Sequence, residues 1–344
     1  MKTLAILTSG GDAPGMNAAI AAAVKVAAAA GWQTLGVRDG YEGLIAGDLI
    51  PLTPRDVDDI AYRGGTDLGS ARSARFRTVE GRQEAAGHLT GIDGLLVIGG
   101  NGSLAGADAL SDQLGGRLPI VGLPASIDND IACTATAIGV DTALNTIVSA
   151  CDRISDTARS HRRIFVVEVM GRDCGYLAMA AGIAASADAV IFREQGQSEA
   201  EVVAGLQCIV SAAAARGKKR VLIIKAEGVE IATSRLVEQL DAPGFTVRYT
   251  VLGHVVRGGS PSFRDRLVAS RLAFAGVKCV IAGQHGMVGW ESTEDGGQPT
   301  ADPAIQLFPL KLMLERTAAL LDGTHPVTAR RVALLEQASR VLPL

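Results

Sequence analysis

Asp128 and Asp130 stand two residues apart in Leu123-Pro124-Ala125-Ser126-Ile127-Asp128-Asn129-Asp130, directly after an apolar run at 118–121. Two carboxylates so placed can hold a metal-bound phosphate and take a proton from a substrate hydroxyl. The same residue types are ordinary turn formers, so the chemistry depends on what is delivered to Asp128.

Glycine-rich turns are the first candidates. Gly10, Gly11 and Gly15 lie between a strand-like and a helix-like run, where free helix N–H groups can hold phosphate. Gly99-Gly100-Asn101-Gly102-Ser103 has the same context. Neither turn has the GxGxxG spacing of a dinucleotide fold, and no GxxxxGK[ST] occurs. Cations gather in glycine-flanked segments: Arg63 and Arg72 around Gly64, Gly65 and Gly69; His161, Arg162 and Arg163 before a strand; Arg248, His254 and Arg257 around another. Fork-shaped donors in such settings suit a polyanionic ligand.

The elements that must position these groups alternate. Strands are expected at 3–8, 34–37, 94–98, 119–123, 164–169, 189–192, 221–225 and 246–252. Helices are expected at 17–30, 176–185, 199–215 and 266–281. Strand, glycine turn and helix in repetition are the pattern of a doubly wound parallel sheet, which binds ligands at strand carboxyl ends. The 344 residues favour two domains over one.

Composition excludes other classes. A net charge of -3 gives no basic footprint for nucleic acid, and 4% aromatic residues provide no stacking platform for bases. Five cysteines without CxxC spacing argue against zinc and against a disulfide framework, as in a reducing cytoplasm. No targeting or membrane-spanning segment is expected: the run at 4–7 is short, and Lys25 breaks the alanine-rich stretch at 18–30.

Taken together, Ser9–Asn17, Arg63–Thr66, Leu68–Arg72, Ile98–Ser103, Ser126–Asp130, Val167–Arg172 and Leu252–Pro261 resemble, in order, the motifs of the phosphofructokinase family. The resemblance implies two similar three-layer α/β domains with mainly parallel sheets and the active site in the cleft between them. The expected limits are 1–138 plus about 251–305 for the larger, donor-binding domain, and 139–250 plus about 306–344 for the smaller, sugar-phosphate domain. It also implies phosphoryl transfer to the 1-hydroxyl of fructose 6-phosphate, giving fructose 1,6-bisphosphate.

Roles follow from the resemblance position by position. Asp128 matches the catalytic base, with Arg172, Ser126 and Arg72 the other catalytic groups. Gly11, Tyr41, Arg72, Arg77, Asn101, Gly102, Ser103, Gly106 and Ala125 match the donor site. Ser126, Asp128, Asp130, Met170, Gly171, Arg172 and Glu227 match sugar contacts, and Arg163, Arg248, His254 and Arg257 match the grip on the 6-phosphate. In the family, the residues at 163 and 248 reach in from a neighbouring subunit, which implies a homodimer or homotetramer.

Donor and metal carry the departures. Pyrophosphate users typically have Asp at the position of Gly102 and Lys at that of Ala125; small residues at both leave room for ATP. Ala125 is not the glycine usual in ATP users, so pyrophosphate remains the alternative. The resemblance implies Mg²⁺ held with Asn101 and Asp130. Asn101 stands where the family normally has Asp, which removes a charge from the cation site and keeps a weakly active, sugar-phosphate-binding regulatory subunit in view. Lys25, Asp59, Lys218 and Lys219 match the family's effector site. Ala21 and Ser155 replace arginines there, so reduced or different regulation is expected.

Overall fold

The computed structural model describes residues 1–240, 243–339 and 341. The chain divides into two compact units. Unit 1 comprises Met1–Ile127, Ile131–Thr142 and Arg257–Ala318, and unit 2 comprises Asp128–Asp130, Ala143–Val256 and Ala319–Leu344. Limits expected at 138, 250 and 305 lie at 142, 256 and 318 in this division. Residues 241, 242, 340 and 342–344 of the expected second domain lie outside the described residues.

Twelve strands form among the described residues: β1 (Thr3–Ser9), β2 (Gln33–Val37), β3 (Leu49–Leu52), β4 (Gly94–Gly99), β5 (Ile120–Pro124), β6 (Arg163–Val169), β7 (Ala189–Ile191), β8 (Arg220–Ala226), β9 (Thr246–Val251), β10 (Gly286–Trp290), β11 (Gln298–Pro299) and β12 (Ile305–Phe308). All eight strands expected from the sequence appear within one residue of their expected ends. The helix expected at 266–281 starts earlier, at Phe263, because Ser262 caps it by accepting from the Asp265 N–H at 3.2 Å.

Unit 1 is built on one eight-stranded sheet, ordered β11-β12-β10-β5-β4-β1-β2-β3. β2, β1, β4, β5 and β10 pair in parallel, while β3, β12 and β11 add antiparallel edges. β4 and β5 are buried along their whole length, and β1 nearly so. Helices cover both faces of such strands, which therefore read as continuous apolar runs. The alanine-rich helix Met16–Ala29 packs on helix Phe263–Ile281, small side chains allowing a close approach. β2 lies on one side of β1 and β4 on the other. The order reverses there, and a crevice opens at the carboxyl ends of β1 and β4.

Unit 2 is built on a four-stranded parallel sheet, ordered β7-β8-β6-β9. Its core joins β6, β7 and β8 to helix Glu199–Ala215 through Ile164, Val166, Ile191, Val202, Leu206, Val210, Val221 and Ile223. The carboxyl ends of β6 and β8 carry the segments 170–175 and 227–228. Strand β10, the antiparallel strands β3, β11 and β12, and the 22-residue helix Val140–His161 were not expected from the sequence. β3 carries Pro51, which an edge strand tolerates.

Candidate active site

In unit 1 the phosphate-type turns meet at the β1/β4 crevice. Gly10 (φ 87°) and Gly15 (φ 111°) turn the chain through the left-handed region before helix Met16–Ala29. A methyl group on Gly11 would lie 2.6 Å from Arg257 Nη1, so that guanidinium rests on the turn; its Nη1 also donates to the Asp12 carbonyl at 3.3 Å. Ser9 and Gly99 stand opposite each other in the sheet, and a methyl on Gly99 would meet Ser103 Oγ at 2.6 Å. Helices Met16–Ala29 and Asn101–Gln113 begin with no side-chain cap and no acidic residue in the first turn. Met16 N–H donates to the Ala13 carbonyl at 3.1 Å and Ser103 N–H to the Gly100 carbonyl at 2.9 Å, and both helix ends present the positive end of the dipole uncapped by any side chain.

The basic segment is tied to the same turns. Ser70 Oγ donates to the Gly10 carbonyl at 2.6 Å, and Thr8 Oγ1 donates to the Gly69 carbonyl at 2.7 Å. Arg72 and Arg77 are exposed and make no ion pair among the described residues. Phe76, between Arg75 and Arg77 in a single 3-10 turn, stacks on Tyr41 with ring centroids 3.9 Å apart. Tyr41 is buried, and its hydroxyl donates to the Ser103 carbonyl at 2.6 Å; burial pushes its pKa up. A methyl on Gly106 would lie 2.8 Å from the Tyr41 ring. Tyr41 thus supports the helix that carries Ser103, and its hydroxyl is already engaged. A side chain added at Gly102 meets nothing within 4 Å. Ala125 and Ser126 follow β5, with Ala125 N–H on the Gly99 carbonyl (3.0 Å) and Ser126 N–H on the Ile138 carbonyl (3.2 Å).

Unit 2 holds the carboxylates. Asp128 is 2% exposed and Asp130 6%, with Asn129 between them in the left-handed region at φ 50°. Arg172 Nε stands 3.7 Å from Asp128 Oδ2, and the Arg172 side chain is half exposed. Its backbone is fixed by Glu227, whose Oε1 accepts from the N–H groups of Gly171 (3.2 Å) and Arg172 (2.9 Å). Glu227 is itself set at the end of β8 by its N–H on the Val169 carbonyl at 2.9 Å. A methyl on Gly228 would lie 2.0 Å from the Arg172 carbonyl, so only glycine lets the two loops close. Met170 is buried beside them.

Arg163 and Arg248 lie elsewhere in this unit. Arg163 opens β6, while Met170 and Arg172 follow its far end. Six residue steps at about 3.3 Å put the two ends of β6 roughly 20 Å apart, with Met170 and Arg172 beyond the far one. Arg248 is exposed on the edge strand β9, opposite Phe165 of β6. His254 is exposed in the 3-10 turn Gly253–Arg257. The chain therefore brings together Asp128, Asp130, Met170, Gly171, Arg172 and Glu227, and leaves Arg163 away from them.

The sequence and the fold match known proteins. The phosphofructokinase family model matches residues 3–280. This chain belongs to the phosphofructokinase family. An ATP-dependent 6-phosphofructokinase of Brevibacillus brevis is 48% identical over 297 residues, covering 86% of this chain and 91% of the relative. ATP-dependent 6-phosphofructokinase 1 of Thermus thermophilus is 43% identical over 325 residues, covering 92% and 95%. The solved phosphofructokinase of Saccharomyces cerevisiae superimposes with a TM-score of 0.85 at 34% identity, over 97% of this chain and 50% of that one. The chain thus spans half the length of the yeast protein.

Two further observations concern this family. No group of three or more His, Cys, Asp or Glu side chains gathers as a metal site among the described residues. Asn101 begins helix Asn101–Gln113 in unit 1 and Asp130 lies in unit 2, so each unit carries only one of the two residues that match the family's metal position. Of the residues matching the effector site, Lys218 pairs with the buried Asp188 and Lys25 pairs with Asp58 at 2.8 Å. Ser155 accepts from Arg220 Nη1 at 2.8 Å. Sequence reasoning passed over Phe76 and Cys174; an aromatic residue isolated in a polar basic segment was the available signal for the first.

Proposed function

We propose that this chain transfers the γ-phosphoryl group of ATP to the 1-hydroxyl of fructose 6-phosphate, yielding fructose 1,6-bisphosphate and ADP in the cytoplasm. The observation that carries the reading is Asp128, a buried carboxylate with Arg172 Nε 3.7 Å from its Oδ2, on a turn that also holds Asp130. Asp128 takes the proton of the 1-hydroxyl as the sugar oxygen bonds to the γ-phosphorus and the bond to the ADP oxygen breaks. Arg172 serves two roles: it faces the Asp128 carboxylate across 3.7 Å and offers donors to the equatorial phosphoryl oxygens in transit. Glu227 fixes the loop that aims it. The N–H groups after Gly10 and Gly100 hold the donor phosphates with Arg72, and Ser126 donates to the transferred group.

ATP is supported as donor by the space at Gly102, where a pyrophosphate user's Asp would place its carboxylate. Asp130 and Asn101 are the residues that would hold Mg²⁺, which would supply charge neutralisation for the transferring group. The 20 Å along β6 supports a shared site. One fructose 6-phosphate is too short to touch both Arg172 and Arg163 of the same chain, so Arg163 and Arg248 serve a second copy, with His254 completing the grip.

The deciding experiment is a coupled assay with fructose 6-phosphate and Mg²⁺, comparing ATP with pyrophosphate. ATP turnover with little from pyrophosphate is expected. Turnover with pyrophosphate alone overturns the donor assignment, and sugar-phosphate binding without turnover favours a regulatory subunit.

A further inference from the structure

One side chain far from every motif touches both loops of the carboxylate centre. Helix Pro326–Ser339 belongs to unit 2 and packs beside helix Tyr176–Ala184. Its half-buried Arg331 lays the guanidinium over the Tyr176 ring, with Cζ 4.6 Å from the centroid. Nη2 donates to the Asn129 carbonyl at 3.2 Å, and Nη1 lies 3.3 Å from Cys174 Sγ. The Cys174 thiol is directed at the same Asn129 carbonyl, at 3.8 Å. Asn129 is the residue between Asp128 and Asp130, and Cys174 lies two residues beyond Arg172. One planar group thus fastens the turn that carries the base to the loop that carries its cationic partner.

The choice of side chain follows from the backbone. Asn129 is in the left-handed region, a conformation costing roughly 1 kcal/mol that persists only when its surroundings hold it. Its carbonyl belongs to the peptide leading into Asp130, so a donor there fixes the plane from which Asp130 projects and holds the residue that follows Asp128. Arginine can bond in one direction, lie against sulfur in another and stack on an aromatic face; lysine offers a point charge without the plane.

We infer that Arg331 is a positioning residue of the Asp128–Arg172 centre, and that helix Pro326–Ser339 is part of the catalytic apparatus through it. The inference rests on the reading of Asp128 as the base. Misplacement of a catalytic group by about 1 Å costs on the order of a hundred-fold in rate. Arg331→Ala is therefore expected to lower kcat at least about ten-fold, with KM values for ATP and fructose 6-phosphate within about three-fold of the parent.

The test measures kcat, both KM values and thermal unfolding for Arg331→Ala, Arg331→Lys and the parent, with Asp128→Asn as control. Sub-denaturing guanidinium chloride added to Arg331→Ala is expected to restore kcat several-fold while leaving Arg331→Lys unchanged. A merely structural arginine lowers Tm and shows no such rescue. Three outcomes overturn the inference: parental kcat in Arg331→Ala, full kcat in Arg331→Lys, or an Arg331→Lys that does not fold. An active parent with an equally active Asp128→Asn removes the base assignment, and an inactive parent removes both readings.

Discussion

Replacing Asp128 by Asn keeps the size of the side chain and removes only its basicity. Loss of a positioned general base costs about 10²- to 10⁴-fold in rate, or roughly 3–5 kcal/mol of transition-state stabilisation. The ground state loses far less. The ion pair with Arg172 spans 3.7 Å, and its cationic partner is half exposed. Solvent screening leaves such a pair worth about 1 kcal/mol or less. Tm should therefore fall by only about 2–4 °C, since 1 kcal/mol moves it by that much in a protein of this order of size. Asp128 lies by Arg172, away from Arg163 at the head of β6, so the KM for fructose 6-phosphate should change by less than about three-fold. ADP release followed through a coupled NADH assay, with Tm from circular dichroism, separates these effects. A fall in kcat below ten-fold, or a KM rising in parallel with the loss of kcat, would refute the assignment of Asp128 as base.

Gly102→Asp has room for its side chain, so the fold should be kept while charge repulsion raises the KM for ATP by at least about ten-fold; unchanged ATP kinetics would place the donor elsewhere. Asn101→Asp should lower the Mg²⁺ concentration for half-maximal activity several-fold by adding a carboxylate at that position, read from a Mg²⁺ titration at saturating ATP. Cys208 is the exposed thiol, whereas burial pushes Cys133 up to about 12 and Cys151, Cys174 and Cys279 up to about 11. Native protein at pH 7.5 should therefore show one fast-reacting thiol with a small disulfide reagent, and more than one would contradict the packing. Asp302 is held below the usual carboxylate range by its hydrogen bonds from Arg271, with Nε at 2.6 Å. Its stabilisation is therefore complete above the unfolded-state pKa and is lost as pH falls through the folded one. Asp302→Asn should lower stability by about 1–3 kcal/mol at pH 7, a gap seen in urea unfolding that narrows as pH drops below about 4.

The sequence alone determined eight of the twelve strands described and the glycine turns that follow them, because the signals there are local. A strand buried on both faces must be a continuous apolar run, and a phosphate turn must be glycine where φ is positive, as at Gly10 and Gly15. The order of the motifs from Ser9 to Pro261 carried the family, and the Asp-Asn-Asp turn carried the carboxylates. Tertiary structure decided what depends on partners distant in sequence. The antiparallel edges of the larger sheet are short and patterned by their neighbours. Tyr41 matches a donor-site position, but the fold spends its hydroxyl on Ser103 and its ring on Phe76. Arg163 carries the same charge as Arg172, yet β6, roughly 20 Å long, runs between them. Arg331 lies about two hundred residues beyond the turn it holds, and no spacing rule joins them. The opening pair of acids was legible because turn chemistry is written in adjacent residues. What holds those acids in place was not, because a guanidinium finds its carbonyl only once the chain has folded.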